Sequence, residues 1–131
     1  MRKSIGNGLI GAKNLNTCVK RLMKYNIKDI QGEVVKDNDT YLLKDNKTLK
    51  NLILSSTRLK PQKQTTGHSH KGKEEVYYFV EGEGVMVLRY DMFEVKAGDV
   101  VMIPDGAFHQ VQNPTDEDLY FVCVFEGSRD H

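Results

Sequence analysis

The chain has 131 residues, which suits one domain with a real core and leaves little room for a second. Apolar residues make up 39% and charged residues 28%, and the formal net charge of +1 provides no global field for nucleic acid or an anionic membrane surface. No apolar run approaches the roughly 20 residues of a membrane-spanning helix.

Charge is uneven at the start. Residues 1–28 carry Arg2, Lys3, Lys13, Lys20, Arg21, Lys24 and Lys28, with no acid before Asp29. The segment lacks the apolar stretch of a secretory signal, and its glycines and asparagines weaken a helix. It reads as a flexible basic extension, or as sequence upstream of a natural start at Met23, with an organelle-targeting segment as the alternative. Residues 29–131 then form the single domain. Cys18 and Cys123 are far apart and belong to no CxxC or Cys/His cluster, so a buried thiol at Cys123 and a reducing, cytoplasmic setting are expected.

From about residue 30 the pattern is short strands between turn signals. Strands are expected at Glu33–Val35, Tyr41–Leu43, Leu49–Leu59 (ending at Pro61), Glu75–Val80, Val85–Tyr90, Phe93–Val95, Val100–Ile103, His109–Gln112 and Leu119–Phe125. Turns fall at Glu81–Gly84, near Asp91–Met92, at Ala97–Asp99 and at Pro104–Gly106. No stretch here holds helical periodicity over three turns, so an all-β barrel or sandwich is expected. Val76–Val80 is apolar on both faces, which suits a strand covered on both sides, with Glu75, Tyr77 and Phe79 toward the lumen.

Three of the four histidines sit where chemistry is expected. His68 and His70 are two residues apart, which on an extended strand puts both rings on one face. Glu75 follows past a short Lys71–Lys73 bend, and His109 lies behind the rigid Pro104–Gly106 turn. Three imidazoles and one carboxylate suit Mn, Fe, Co, Ni or Zn and are too nitrogen-rich for Mg or Ca. Taken singly, none is diagnostic: a histidine pair by a glycine turn is more often a solvated loop, and a lone histidine more often a hydrogen-bonded rim residue. The joint spacing carries the case.

That spacing closely resembles the two motifs of the cupin superfamily. The first is matched by His68-Ser69-His70, four residues, Glu75, six residues, Gly82; the second by Gly98, Pro104, Gly106, His109 and Asn113. Fifteen residues separate Gly82 from Gly98, as in compact single-domain members. Glu75 is preferred to Glu74 because only Glu75 leaves the six-residue gap to Gly82. One departure is visible: the opening glycine of the first motif falls at Gln62. The resemblance covers residues 49–126 and implies a small antiparallel β-barrel of the double-stranded β-helix or jelly-roll type, with one divalent transition metal on His68, His70, Glu75 and His109 near one end of the lumen, and often a homodimer.

The function expected is a metal-dependent enzyme acting on a small molecule, with a sugar or sugar-phosphate isomerase or epimerase put first. Glu75 is then the candidate catalytic residue as well as a ligand, and Lys71, Lys73, Arg58 or Arg89 could anchor an anion. An iron dioxygenase, with Tyr77 and Phe79 lining the substrate pocket, and a non-catalytic binding module are the alternatives. No nucleotide-binding loop, nucleophile triad or base-stacking platform competes with them, so neither nucleic acid nor a membrane is an expected partner.

Overall fold

The computed structural model describes residues 23–127. Residues 1–22 of the basic extension, with Cys18, lie outside the described residues. Residues 23–31 belong to a unit that ends at Gln31. Within it, Asn26 and Asp29 form a short antiparallel bridge, and the Asn26 side chain accepts from the Lys28 amide.

The second unit begins at Gly32 and holds ten strands. In chain order these are β1 (Glu33–Asp37), β2 (Tyr41–Asn46), β3 (Leu52–Leu59), β4 (Lys63–Gln64), β5 (Glu75–Glu81), β6 (Glu83–Leu88), β7 (Asp91–Lys96), β8 (Val100–Ile103), β9 (His109–Asn113) and β10 (Leu119–Glu126). Nine follow the expected positions. The two-residue β4 has no alternation to read, and it exists because Lys63 and Gln64 pair with Asn113 and Gln112. The turn expected near Asp91–Met92 lies instead at Arg89–Tyr90: Leu88 pairs with Asp91, and Arg89 has a φ of 57°.

All pairings between named strands are antiparallel. One sheet runs β1-β2-β3-β10-β5-β8 and the other β4-β9-β6-β7. These are separate ladders among the described residues, so the expected barrel takes the form of a two-sheet jelly roll. Alternation sorts the side chains into the core. Leu59, Phe79, Phe121 and Ile103 face inward from the six-stranded sheet and meet Met86, Val95 and Val111 from the other. Phe79 and Phe121 have ring centroids 5.4 Å apart, a geometry worth about 0.5–1.5 kcal/mol beyond area burial.

The inward set of β5 is Glu75, Tyr77 and Phe79, as its alternation requires. Its other face is not covered among the described residues: Val76 and Tyr78 remain 38% and 37% exposed. The strand buried on both faces is β10, where Tyr120 and Val122 are buried along with Phe121 and Cys123.

Two features of the loop end hold the motif segments in place. Gly82 has a φ of +91°, and a Cβ there would lie 2.5 Å from the Asp118 carbonyl oxygen, so a side chain is excluded on both counts. Asn113 is buried and acts as a staple. Its amide donates to the carbonyls of Leu59, Lys60 and Glu117, and its oxygen accepts from the Thr115 amide and hydroxyl. Gln62, where the motif glycine is missing, adopts the conformation a glycine would favour, with a φ of 65°. Its side-chain amide contacts the carbonyls of Pro114 and Thr115 and the Asp116 carboxylate, which offsets the strain.

Candidate metal centre

Backbone pairing places the first two site residues. His68 and His109 exchange both amide–carbonyl hydrogen bonds, 3.1 and 3.0 Å, in an isolated antiparallel bridge beyond β4. Residues directly opposite in such a pair project to the same face. Their rings accordingly stand 4.5 Å apart between centroids.

The loops carrying the two motifs are laced together beside this bridge. The His70 carbonyl accepts from the amides of Lys73 and Gly106, and the Gly72 amide donates to Asp105 Oδ1 at 2.6 Å. The chain therefore bends at 71–73 and enters β5 at Glu75, which is buried while Glu74 is exposed. Glu75 Oε1 lies 3.4 Å from His109 Nε2. Donor atoms of His68, Glu75 and His109 all fall within 4.8 Å of one another. His70 stands next to this triad, its ring 4.5 Å from that of His68.

The hydrogen bonds of the imidazoles define their chemistry. His109 Nδ1 faces the Ala107 carbonyl at 2.9 Å and His68 Nδ1 faces the Thr66 carbonyl at 3.1 Å. A carbonyl only accepts, so each Nδ1 carries a proton and, in the neutral ring, each Nε2 presents a lone pair. His109 Nε2 is buried without a hydrogen-bond partner, beside the Glu75 carboxylate. Two buried acceptors facing each other are stable only with a cation between or upon them, a proton or a metal. The donor set, its tautomers and its unpartnered nitrogen therefore fit a divalent transition metal.

The electrostatics agree. Burial pushes the Glu75 carboxyl up, but the contact with His109 and the charges of His109, His68 and His70 outweigh it and hold it below its usual range. His68 is held below its ordinary value by burial and by His109, against the Thr66 carbonyl, which favours the protonated ring. Both shifts favour the ligand-competent forms, carboxylate and neutral imidazole.

The cluster opens into a cavity of about 150 Å³. Tyr41 and Leu43 from β2, Ser55 and Thr57 from β3, and Phe121 and Phe125 from β10 form much of its wall. Tyr77 lines it as expected. Phe79 does not: it is two residues further along β5, fully buried in the core against Phe121. Of the four cations considered from sequence, only Lys73 reaches the cavity. Arg58 is engaged elsewhere, 3.3 Å from Glu81 and over the Tyr120 ring. Lys36, Ser55 and Thr57 were not legible as site residues, because they join the site through sheet pairing and not through any local motif.

Fold and site together define a jelly roll with a histidine–carboxylate cluster at the mouth of its cavity. Residues 55–125 match the family model described as "Cupin domain", and the chain belongs to the cupin family. It is 40% identical over 60 residues to the uncharacterized protein MJ1618 of Methanocaldococcus jannaschii, covering 46% of this chain and 48% of that protein. It is 33% identical over 72 residues to an oxalate-binding protein of Thermotoga maritima, covering 55% of this chain and 60% of that one. The chain thus spans roughly half of each curated relative. Among solved structures, Rru_A2000 from Rhodospirillum rubrum, a cupin-2 domain, superposes with a TM-score of 0.66 at 21% identity, over 76% of this chain and 70% of that one. No helix among the described residues is long and apolar enough to cross a membrane.

Proposed function

We propose that this chain is a metal-dependent cupin enzyme acting on a small molecule that presents adjacent oxygens to the centre, with isomerisation or epimerisation of a sugar or sugar phosphate as the reaction. The observation that carries the metal reading is the buried, unpartnered His109 Nε2 facing Glu75. His68, Glu75 and His109 would hold the ion, and His70, adjacent to His68, completes the set. When bound, such a metal supplies a Lewis acid that polarises a substrate carbonyl and lowers the acidity barrier at the neighbouring carbon.

The chain's own residues supply the rest. The Ala107 and Thr66 carbonyls hold the imidazoles in one tautomer and orientation. Tyr77 and Phe121, stacked at 5.6 Å, form a rigid wall that limits water beside the cluster. Glu75, kept ionised, supplies the carboxylate that would hold the ion, which makes it a ligand first and a weak proton acceptor. A cytoplasmic homodimer is part of this reading. Val76 and Tyr78 of β5 lie opposite Met102 and Val100 of β8, and all four are exposed on the outer sheet face, an apolar surface that a second copy would cover.

The test is elemental analysis of protein purified without affinity-tag metal, followed by proton exchange into an aldose or ketose panel in deuterated water. Metal-dependent exchange without oxygen consumption is expected. Absence of bound metal, with no uptake of Mn, Fe, Ni, Co or Zn, refutes the reading; oxygen uptake with iron instead indicates a dioxygenase. A non-catalytic binding role is the second reading, favoured by the similarity to an oxalate-binding protein. Tight metal-dependent ligand binding without turnover would establish it.

A further inference from the structure

We propose that Lys36 selects the ligand of this cavity, and that the ligand is a small oxyanion, carboxylate or phosphoryl, held between Lys36 and the histidine cluster. The inference rests on the metal-dependent reading above and names the chemical class of molecule that the site takes.

The argument begins with a break in register. On β1, Glu33 pairs with Asp45 and Val34 with Lys44, but Lys36 then pairs with Leu43 and Asp37 with Leu42. Val35 is an inserted residue, a β-bulge. In an unbroken ladder Val35 would oppose Leu43, and Lys36 would oppose Leu42 on the outer face. The extra residue reverses this and turns Lys36 to the face of Leu43, which is buried and lines the cavity. Lys36 lines the same cavity and is an exposed residue. A bulge that re-aims one cation into a pocket is a positioning device.

Charge and size set the class of ligand. Among the described residues lining this cavity Glu75 is the sole carboxylate, against Lys36, Lys73 and the imidazoles of His68 and His70. A divalent ion on the cluster adds two positive charges to one negative, so the site as a whole attracts an anion. Lys73 sits on a different wall, where a Cβ added to Gly127 would lie 3.6 Å from its Nζ. Ser55, Thr57, Thr65 and Thr66 add hydroxyl-bearing residues to this lining. A cavity of about 150 Å³ holds a molecule of benzene size, so the enclosed part of the ligand is on the order of six heavy atoms.

A competing role is plain: β1 is an edge strand, and bulges and lysines on edges prevent unwanted strand pairing. One experiment separates the two. The full chain is loaded with Zn or Mn, its metal content is measured, and glycolate, methyl phosphate and the neutral glycolamide are titrated by calorimetry. Wild type is expected to prefer an anion to glycolamide. Lys36→Met should weaken the preferred anion about tenfold, as loss of a charged hydrogen bond does, with metal content and glycolamide binding unchanged. Lys44→Met, on the outer face of the same sheet, should behave as wild type. A response to glycolate alone assigns the carboxylate, and to methyl phosphate alone the phosphoryl group.

The inference is overturned if Lys36→Met binds both anions as wild type does, or if glycolamide weakens equally. Unchanged anion binding with new self-association would make Lys36 an edge guard. Failure of wild type to take up metal would overturn the proposed function and this inference together. Full metal loading with no effect of Lys36 overturns this inference alone.

Discussion

Replacing His109 by alanine should abolish most of the metal-induced stabilisation while leaving the jelly roll folded. In the metal-free protein the substitution removes one hydrogen bond, Nδ1 to the Ala107 carbonyl at 2.9 Å, worth about 1 kcal/mol. It also removes a buried, unpartnered nitrogen, which costs about 1–3 kcal/mol to keep. These two effects oppose each other, but the buried Glu75 also loses the neighbour that holds it ionised and the ring leaves a void. Metal-free His109→Ala should therefore melt below metal-free wild type, and each protein is compared through its own metal-induced shift. With metal at 100 times its dissociation constant, binding stabilises wild type by about 2.7 kcal/mol. For a domain of this size that corresponds to a rise in Tm of roughly 10–20 °C. Loss of one ligand should cost at least about 100-fold in affinity, since even outer hydrogen-bond partners of ligands cost about 10–100-fold. At the same metal concentration the variant then gains about 0.4 kcal/mol, a rise of roughly 2–3 °C. Differential scanning calorimetry with and without chelator measures both shifts, and elemental analysis gives the stoichiometry. An undiminished shift in His109→Ala, with metal still bound, would refute the assignment of the centre.

Stability without metal should fall on acidification. His68 is held below its ordinary 6.5 in the folded chain, so below that pH the unfolded chain takes up protons that the native one refuses. Glu75 is held below its ordinary 4.5, so its contribution is present above that value and is lost as pH falls through the lower folded value. Tm should therefore be flat above about pH 7 and decline in two stages below pH 6.5, with His68→Gln removing the upper one; a Tm that rises on acidification contradicts this. Gln62→Ala keeps the left-handed backbone and loses three side-chain contacts, and should cost about 1–2 kcal/mol in urea unfolding. Gln62→Gly should cost less because it removes the strain; equal losses would show that the strain is unimportant. Asn113→Ala removes five hydrogen-bond contacts, three of them shared by two amide hydrogens, and should cost about 3 kcal/mol or more while metal content per folded molecule stays at the wild-type level. A loss of metal without a loss of stability would make Asn113 part of the centre.

The sequence by itself determined the strands with enough alternation to read and the residues brought together by short-range geometry. Glu75, Tyr77 and Phe79 share a face because the side-chain period of a strand is two, wherever that strand packs. His68, Glu75 and His109 were legible because motif spacing encodes two loops that must meet. Tertiary structure decided what depends on a partner strand. β4 has only two residues and is defined by pairing with β9. The exposure of Val76 and Tyr78 depends on what lies beyond the sheet, whereas their apolar character is the same either way. Tyr77 reaches the cavity and Phe79 does not because depth along a common face is set by the opposing sheet.

The centre itself was sharpened in the same way. The spacing placed four ligands as equals, whereas the structure gathers three within 4.8 Å and sets His70 beside them. It also shows why the neutral rings present Nε2, through carbonyls two residues back in each chain segment. Where the motif glycine is missing, Gln62 adopts a left-handed backbone that a glycine would favour and ties it down with its own amide. Lys36 is the clearest case of what sequence leaves open. In the one-dimensional pattern it is one lysine among many on a polar edge strand; a single inserted residue, visible only against the register of β2, turns it to the face that lines the cavity.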